Sequence, residues 1–268
     1  MLQPLSRNSR NTMSRQTPVG SASESRFATL VARLHFVWFI IVAALWTIVM
    51  AFVQLLTHLI YPTARNFKRN ARVWGGVILG LSGIRVHVTD RAGIDRDAPT
   101  VFISNHQNLL DILALSAALP YSFGFLAKTE LARVPFLGFA IRNSASVFID
   151  RSNPRSALRS LRKAGERIRS GNSVLVFAEG TRSHGAHLQP LLKGGFALGV
   201  EAGVPMVPVV IVDGYKLLHE SRRLLRGGVL HMVVGEPISL EGRTRRDIPA
   251  LMEYVRERLA ESLAAVSE

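Results

Sequence analysis

Residues 173–212, SVLVFAEGTRSHGAHLQPLLKGGFALGVEAGVPMVPVVIV, decide the fold. Two short apolar runs, 173–178 and 206–212, lack the alternation of a strand with one wet face. They are predicted as strands buried on both sides, because Val and Ile suit an enclosed pleated surface. The stretch between them fits a helix over 194–202,. A strand, a helix and a second strand make a crossover unit, which pairs its strands in parallel.

The same alternation runs through most of the chain. Further strands are predicted at 84–88, 100–104, 123–127, 146–149 and 230–234, with helices at 108–119, 154–170 and 247–265. Residues 84–268 therefore read as one α/β domain with a largely parallel central sheet flanked by helices. A chain of 268 residues can bury one substantial core of this kind, and no internal repeat suggests a second,. Function in such sheets usually sits in the loops at the carboxyl ends of strands.

Two of those loops carry chemistry. In VFISNHQNLLD (101–111) an apolar run breaks at Asn105, exposes His106 and supplies Asp111 five positions later. Asn108 suits a helix N-cap, and a carboxylate in the first turn is favoured by the helix dipole, so Asp111 also has a purely structural reading. His106 has no such reading. Oriented by a carboxylate, its imidazole can take a proton from a hydroxyl near neutral pH. The second loop, FAEGTRS (177–183), places Glu179, Gly180, Thr181 and Arg182 after another buried strand. Lys128, Arg151 and Lys193 stand at strand ends or a helix start, so several cations can converge on one mouth of the sheet. Convergent cations beside a general base suit a phosphorylated substrate, although each alone also reads as part of a solvated face.

Composition narrows the partners. The 33 Lys and Arg against 19 Asp and Glu give a formal charge of +14, which attracts polyanions,. With 48% hydrophobic residues the balance favours an anionic membrane over nucleic acid. No cysteine is present, which excludes disulfides and thiolate metal sites,.

The N-terminus supports a membrane. Residues 1–29 read as a disordered basic tail, and 30–83 as a membrane-associated helical segment,. No charge occurs from Leu34 to Ala64, long enough to cross a bilayer as a helix,. His35, Thr47, Gln54, Thr57 and His58 make the stretch wetter than a lone span prefers, and both flanks are basic. A helical hairpin dipping into one leaflet would return both basic ends to the cytoplasmic face. On 65–81, Arg65, Lys68, Arg69 and Arg72 share one helical stripe and Phe67, Trp74, Ile78 and Leu81 another,. That pattern predicts either a helix lying in the interface or one packed on the domain.

Four blocks in order across about residues 70–240 give the chain a family resemblance. NHQNLLD (105–111), AKTELARVPFLG (127–138) with FIDR (148–151), FAEGTRS (177–183) and VPMVPVVI (204–211) are similar to the four motifs of the lysophospholipid acyltransferase family. Asn108 stands where Ser is common and Ala178 where Pro is usual. The resemblance implies acyl transfer from acyl-CoA or acyl-carrier protein to the sn-2 hydroxyl of lysophosphatidic acid. It implies His106 as general base, with Asp111 holding the imidazole in the right tautomer,. Glu179, Gly180, Thr181 and Arg182 would shape the glycerol-phosphate site, with Arg151 and Lys128 adding charge. It further implies no covalent intermediate, metal or cofactor beyond the thioester co-substrate, no nucleic-acid partner, and a membrane location with the site on the cytoplasmic face. Other acceptors, such as lyso-ornithine lipid or glycerol 3-phosphate, remain open. So does an inactive membrane or nucleic-acid binder, against which the intact His106, Asp111, Glu179 and Arg182 argue.

Overall fold

The computed structural model describes residues 26–60, 64–134, 137–142, 144, 146–150 and 153–267. Two helices, α1 (Arg26–Ile60) and α2 (Ala64–Leu81), precede an alternating series. It runs β1 (Ile84–Asp90), β2 (Val101–Ser104), α3 (Leu110–Ala118), β3 (Gly124–Lys128), α4 (Leu137–Arg142), β4 (Val147–Ile149), α5 (Pro154–Arg169) and β5 (Val174–Phe177). It ends with α6 (Lys193–Ala202), β6 (Met206–Val212), α7 (Gly214–Leu217), β7 (Leu218–His219), β8 (Leu224–Leu225), β9 (Gly228–Val234) and α8 (Ile248–Ser267). The strands and helices expected from sequence all form, within a few residues at their ends.

Seven strands make one sheet in the order β1-β9-β6-β2-β5-β3-β4. From β6 to β4 the pairing is parallel, while β9 runs antiparallel to β6 and carries β1 beside it. Alternate residues of the central strands feed two cores. Phe102, Leu175, Val207, Val209 and Ile211 pack with α1, α2 and α3 on one face. Val101, Ile103, Val174, Val176, Val210 and Val212 pack with α5, α6 and α8 on the other. Both faces of the sheet are therefore enclosed, which is why its strands read as unbroken apolar runs.

The helix after β2 covers one face and the helix after β5 the other. Adjacent strands whose connections part in this way leave a crevice at their carboxyl ends, the usual ligand position in such sheets. His106 lies at that point.

Helix α1 takes in residues 26–29, which the sequence reading put in the tail; residues 1–25 lie outside the described residues. At 35 residues, α1 is the one helix among the described residues long and apolar enough to cross a membrane. It pairs antiparallel with α2, through Trp74 Nε1 donating to Thr47 Oγ1 at 2.9 Å and Asn70 Nδ2 donating to Gln54 Oε1 at 2.9 Å. Asn70 also donates to Thr57 Oγ1 at 3.0 Å. Three of the polar interruptions in α1 thus meet the neighbouring helix and leave the outer face apolar, with Leu34, Leu45, Phe52 and Leu56 all exposed.

Helix α2 differs from the free interfacial helix that its stripes allow. Ile78 and Leu79 are buried in the domain core, Lys68 Nζ donates to the carbonyl of Pro120 at 2.8 Å, and Gly75 meets α3. A Cβ at Gly75 would lie 2.5 Å from the Leu113 carbonyl oxygen, so the two backbones cross in contact. Arg69 and Arg72 of the basic stripe are exposed.

Candidate active site

Beyond Ser104 the chain leaves β2 without losing its partner. Asn105 Nδ2 donates to the Ile211 carbonyl and its Oδ1 accepts from the Ile211 amide, both at 2.8 Å, so a side chain completes the ladder where the backbone turns away. This is what aims His106 out of the sheet.

The imidazole is then fixed from two directions. His106 Nδ1 lies 2.7 Å from Asp111 Oδ2, and its ring stacks on Phe177, with centroids 3.8 Å apart and planes 13° from parallel. A buried carboxylate only accepts, so Nδ1 carries the hydrogen and Nε2 is left with a lone pair. That arrangement makes Nε2 a base.

Asp111 is completely buried. Its Oδ2 also accepts from the backbone amides of Gln107 at 2.5 Å and Asn108 at 2.9 Å. The helix-start role expected for Asn108 holds in part. Its Oδ1 accepts from the Leu110 amide at 2.9 Å, while its Nδ2 donates to the carbonyls of Gly214 at 2.7 Å and Leu218 at 3.1 Å. The two readings of Asp111, helix terminus and histidine partner, coexist in one carboxylate.

The second loop grips the first. Glu179 is buried, with Oε1 accepting from the His106 amide and Oε2 from the Gln189 amide, each at 2.7 Å. Burial, the largest influence, pushes its carboxyl above the ordinary range, against the opposing pull of those amides,. The family resemblance has Glu179 help shape the glycerol-phosphate site; in the structure each of its oxygens accepts a backbone amide, so it clamps the second loop to the first. Gly180 turns the chain with a φ of 70°, a conformation that suits glycine,. Ser183 and His184 then donate their amides to the carbonyls of His106 at 2.8 Å and Gln107 at 3.1 Å.

Arg182 projects at this mouth, its Nη1 2.9 Å from Glu220 Oε2. Thr181 is exposed beside it. Lys128 ends β3 as expected, but two strands from β2, and its ammonium is 2.8 Å from Glu130 in open solvent. Lys193 does open α6, also exposed. Arg151 lies outside the described residues. Sequence reasoning missed Glu220, whose surroundings read as a polar turn, and the platform under His106, because Phe177 reads simply as the end of a strand.

Residues 85–212 match the family model described as Acyltransferase. A Schizosaccharomyces pombe protein named as an uncharacterized acyltransferase is 31% identical over 93% of this chain and 92% of its own. A chloroplastic 1-acyl-sn-glycerol-3-phosphate acyltransferase of Brassica napus is 30% identical over 97% of this chain and 77% of its own. The crystal structure of the 1-acyl-sn-glycerophosphate (LPA) acyltransferase PlsC of Thermotoga maritima superposes with a TM-score of 0.76. It is 24% identical and covers 89% of this chain and 97% of its own, a likeness of fold. The chain belongs to the acyltransferase family that includes the 1-acyl-sn-glycerol-3-phosphate acyltransferases.

Proposed function

We propose that the chain transfers a fatty acyl group from a thioester, acyl-CoA or acyl-carrier protein, to the sn-2 hydroxyl of lysophosphatidic acid, giving phosphatidic acid. The observation that carries this reading is the buried His106–Asp111 pair, 2.7 Å apart, beside Arg182 at the mouth of the sheet. Relatives named as 1-acyl-sn-glycerol-3-phosphate acyltransferases support the choice of acceptor.

In this reading His106 Nε2 takes the proton of the acceptor hydroxyl as its oxygen attacks the thioester carbonyl. Asp111 stabilises the imidazolium that forms. Collapse of the tetrahedral intermediate breaks the carbon–sulfur bond, and the imidazolium returns the proton to the leaving thiolate. The thioester is already activated, so the reaction needs neither a covalent enzyme intermediate nor a metal or other cofactor. Arg182 takes the acceptor phosphate, with exposed Lys128 and Lys193 adding long-range attraction. The donor arrives as a soluble thioester, and the partners are an anionic membrane and these substrates, with no nucleic acid.

Helix α1 supports a membrane location. Its outer apolar face together with the basic stripe of α2 suits a cytoplasmic leaflet, with the site facing the cytoplasm. Purified protein in detergent, offered lysophosphatidic acid, other lysolipids and glycerol 3-phosphate with acyl-CoA or acyl-carrier protein, tests the reading. Lysophosphatidic acid should be the best acceptor. A clear preference for a lysolipid without a phosphomonoester would overturn the assignment.

A further inference from the structure

Glu220 follows β7, which pairs antiparallel with β8 in a short hairpin, and its side chain is 21% exposed. Its two oxygens face different partners. Oε1 accepts from the amide of Leu109, which leads into α3, at 2.9 Å. Oε2 accepts from Arg182 Nη1 at 2.9 Å and lies 3.5 Å from His184 Nδ1. One carboxylate thus joins three segments: the loop that carries His106 and Asp111, the loop that carries Arg182, and the hairpin beyond β6.

Arg182 has 40% of its side chain exposed, and among the described residues Glu220 is its one ion-pair partner. A long, half-exposed arginine otherwise samples many rotamers, and an exposed ion pair by itself adds little stability. The engagement is partial as well. A guanidinium has five N–H donors in a planar fork, and the single bond from Nη1 leaves the others for a second anion,.

We propose that Glu220 is a positioning residue of the acceptor site: it holds one edge of the Arg182 guanidinium at a fixed place relative to the His106 loop, so that the remaining donors meet the acceptor phosphate. The inference rests on acyl transfer to lysophosphatidic acid as the activity. Glu220 touches no reacting atom. Its Leu109 bond ties it to the backbone that aims the base, so phosphate and hydroxyl are registered by one side chain. The carboxylate also repels a phosphate, and only its neutralisation by Arg182 lets the two anions share the mouth.

A double-mutant cycle tests this with the full-length enzyme in detergent micelles, varying lysophosphatidic acid at saturating acyl-CoA. The variants are Glu220→Gln, Arg182→Ala and the pair together. Glutamine keeps an acceptor for the Leu109 amide, so the start of α3 stays supported, while the charge that holds Arg182 is lost. Glu220→Gln should raise the KM for lysophosphatidic acid about three- to tenfold, within the range of coupling between contacting residues. It should leave kcat within about twofold, and the KM for acyl-CoA and the melting temperature unchanged. The double variant should bind acceptor no worse than Arg182→Ala alone, since without the guanidinium there is nothing to position.

Independent losses that multiply in the double variant would overturn the proposal, as would a lowered KM in Glu220→Gln, which would make the carboxylate a competitor of the phosphate. An unchanged KM with a lowered melting temperature would reduce Glu220 to a structural tie. If Arg182→Ala raises the KM and Glu220→Gln does not, the acyltransferase reading stands and the positioning role fails. A wild-type protein that leaves lysophosphatidic acid unacylated removes both.

Discussion

The imidazole of His106 lies flat on the ring of Phe177, 3.8 Å between centroids. Phe177 in turn neighbours Phe125, 6.2 Å away and close to parallel, so the imidazole rests on an aromatic platform built from two adjacent strands. Replacing Phe177 by Leu keeps the bulk and removes the flat surface. Turnover should fall about two- to tenfold, the rate equivalent of the roughly 0.5–1.5 kcal/mol that an aromatic pair contributes. The KM for lysophosphatidic acid should hold. Steady-state kinetics of Phe177→Leu with full activity would show that Asp111 alone orients the ring.

His106→Ala and Asp111→Asn separate base from orienter. Loss of the base should lower kcat by about 10²–10⁴-fold or more, with melting temperature and membrane association preserved. Asp111→Asn should cost less activity and more stability, because Oδ2 also accepts the Gln107 and Asn108 amides. A nearly silent His106→Ala, beside an Asp111→Asn whose defect is in stability alone, would return Asp111 to a capping role and leave the reaction without its base.

Glu179→Gln replaces one acceptor oxygen by an NH₂ that faces a backbone donor. One of the His106 and Gln189 amides is then unpaired in a buried place, at about 1–3 kcal/mol,. A pH signature accompanies this. Burial raises the Glu179 pKa above the usual 4.5, so the folded state keeps its proton longer than the unfolded chain. The stability Glu179 contributes is therefore full below that value and declines as pH rises from there through the folded pKa. Melting curves of wild type and variant should show a gap that narrows over this rise. A gap that widens would mean the two amides outweigh burial.

Gly75→Ala tests the crossing of α2 and α3. Alanine is the better helix former by about 1 kcal/mol, but its Cβ would sit 2.5 Å from the Leu113 carbonyl oxygen, which cannot rotate aside,. Overpacking of this kind costs about 1–3 kcal/mol, so a net loss of stability is expected in thermal unfolding. A variant as stable as wild type would show that the helices part freely.

Membrane attachment should survive both high salt and alkaline washing, since it rests on the apolar face of α1 as well as on charge,. Cysteines introduced before Arg33 and after Arg65 should be labelled from the same side, as a helix pair lying flat in one leaflet requires. Labels on opposite faces would make α1 a full span.

The sheet was legible because its strands are buried on both faces: β5 and β6 show unbroken apolar runs, which no local alternative explains as well. His106 and Asp111 were legible for the same reason, as polar residues abruptly following such a run. What escaped was whatever depends on residues distant in sequence. Glu220 lies 111 positions from Leu109 and 38 from Arg182, and nothing in HESRR marks it. Lys128 ends its strand as the sequence suggests, but a strand end fixes where a cation starts and not where its long side chain goes; Glu130, two residues on, pairs with it. The stripes of α2 hold in part: Ile78 and Trp74 meet the domain and α1, but Leu81 is exposed and Lys68 turns to the Pro120 carbonyl, because a stripe does not name its partner.

The bare outer face of α1 changes what concentration means for this protein. A helix of 35 residues is about 52 Å long at 1.5 Å per residue, and along that length Leu34, Leu45, Phe52 and Leu56 face outward,. Laid in a leaflet, it confines the search for acceptor to two dimensions, while the thioester still arrives from three. Diluting lysophosphatidic acid with inert detergent at constant bulk amount should then slow turnover, whereas diluting the micelles at constant mole fraction, with the thioester concentration held constant, should matter little.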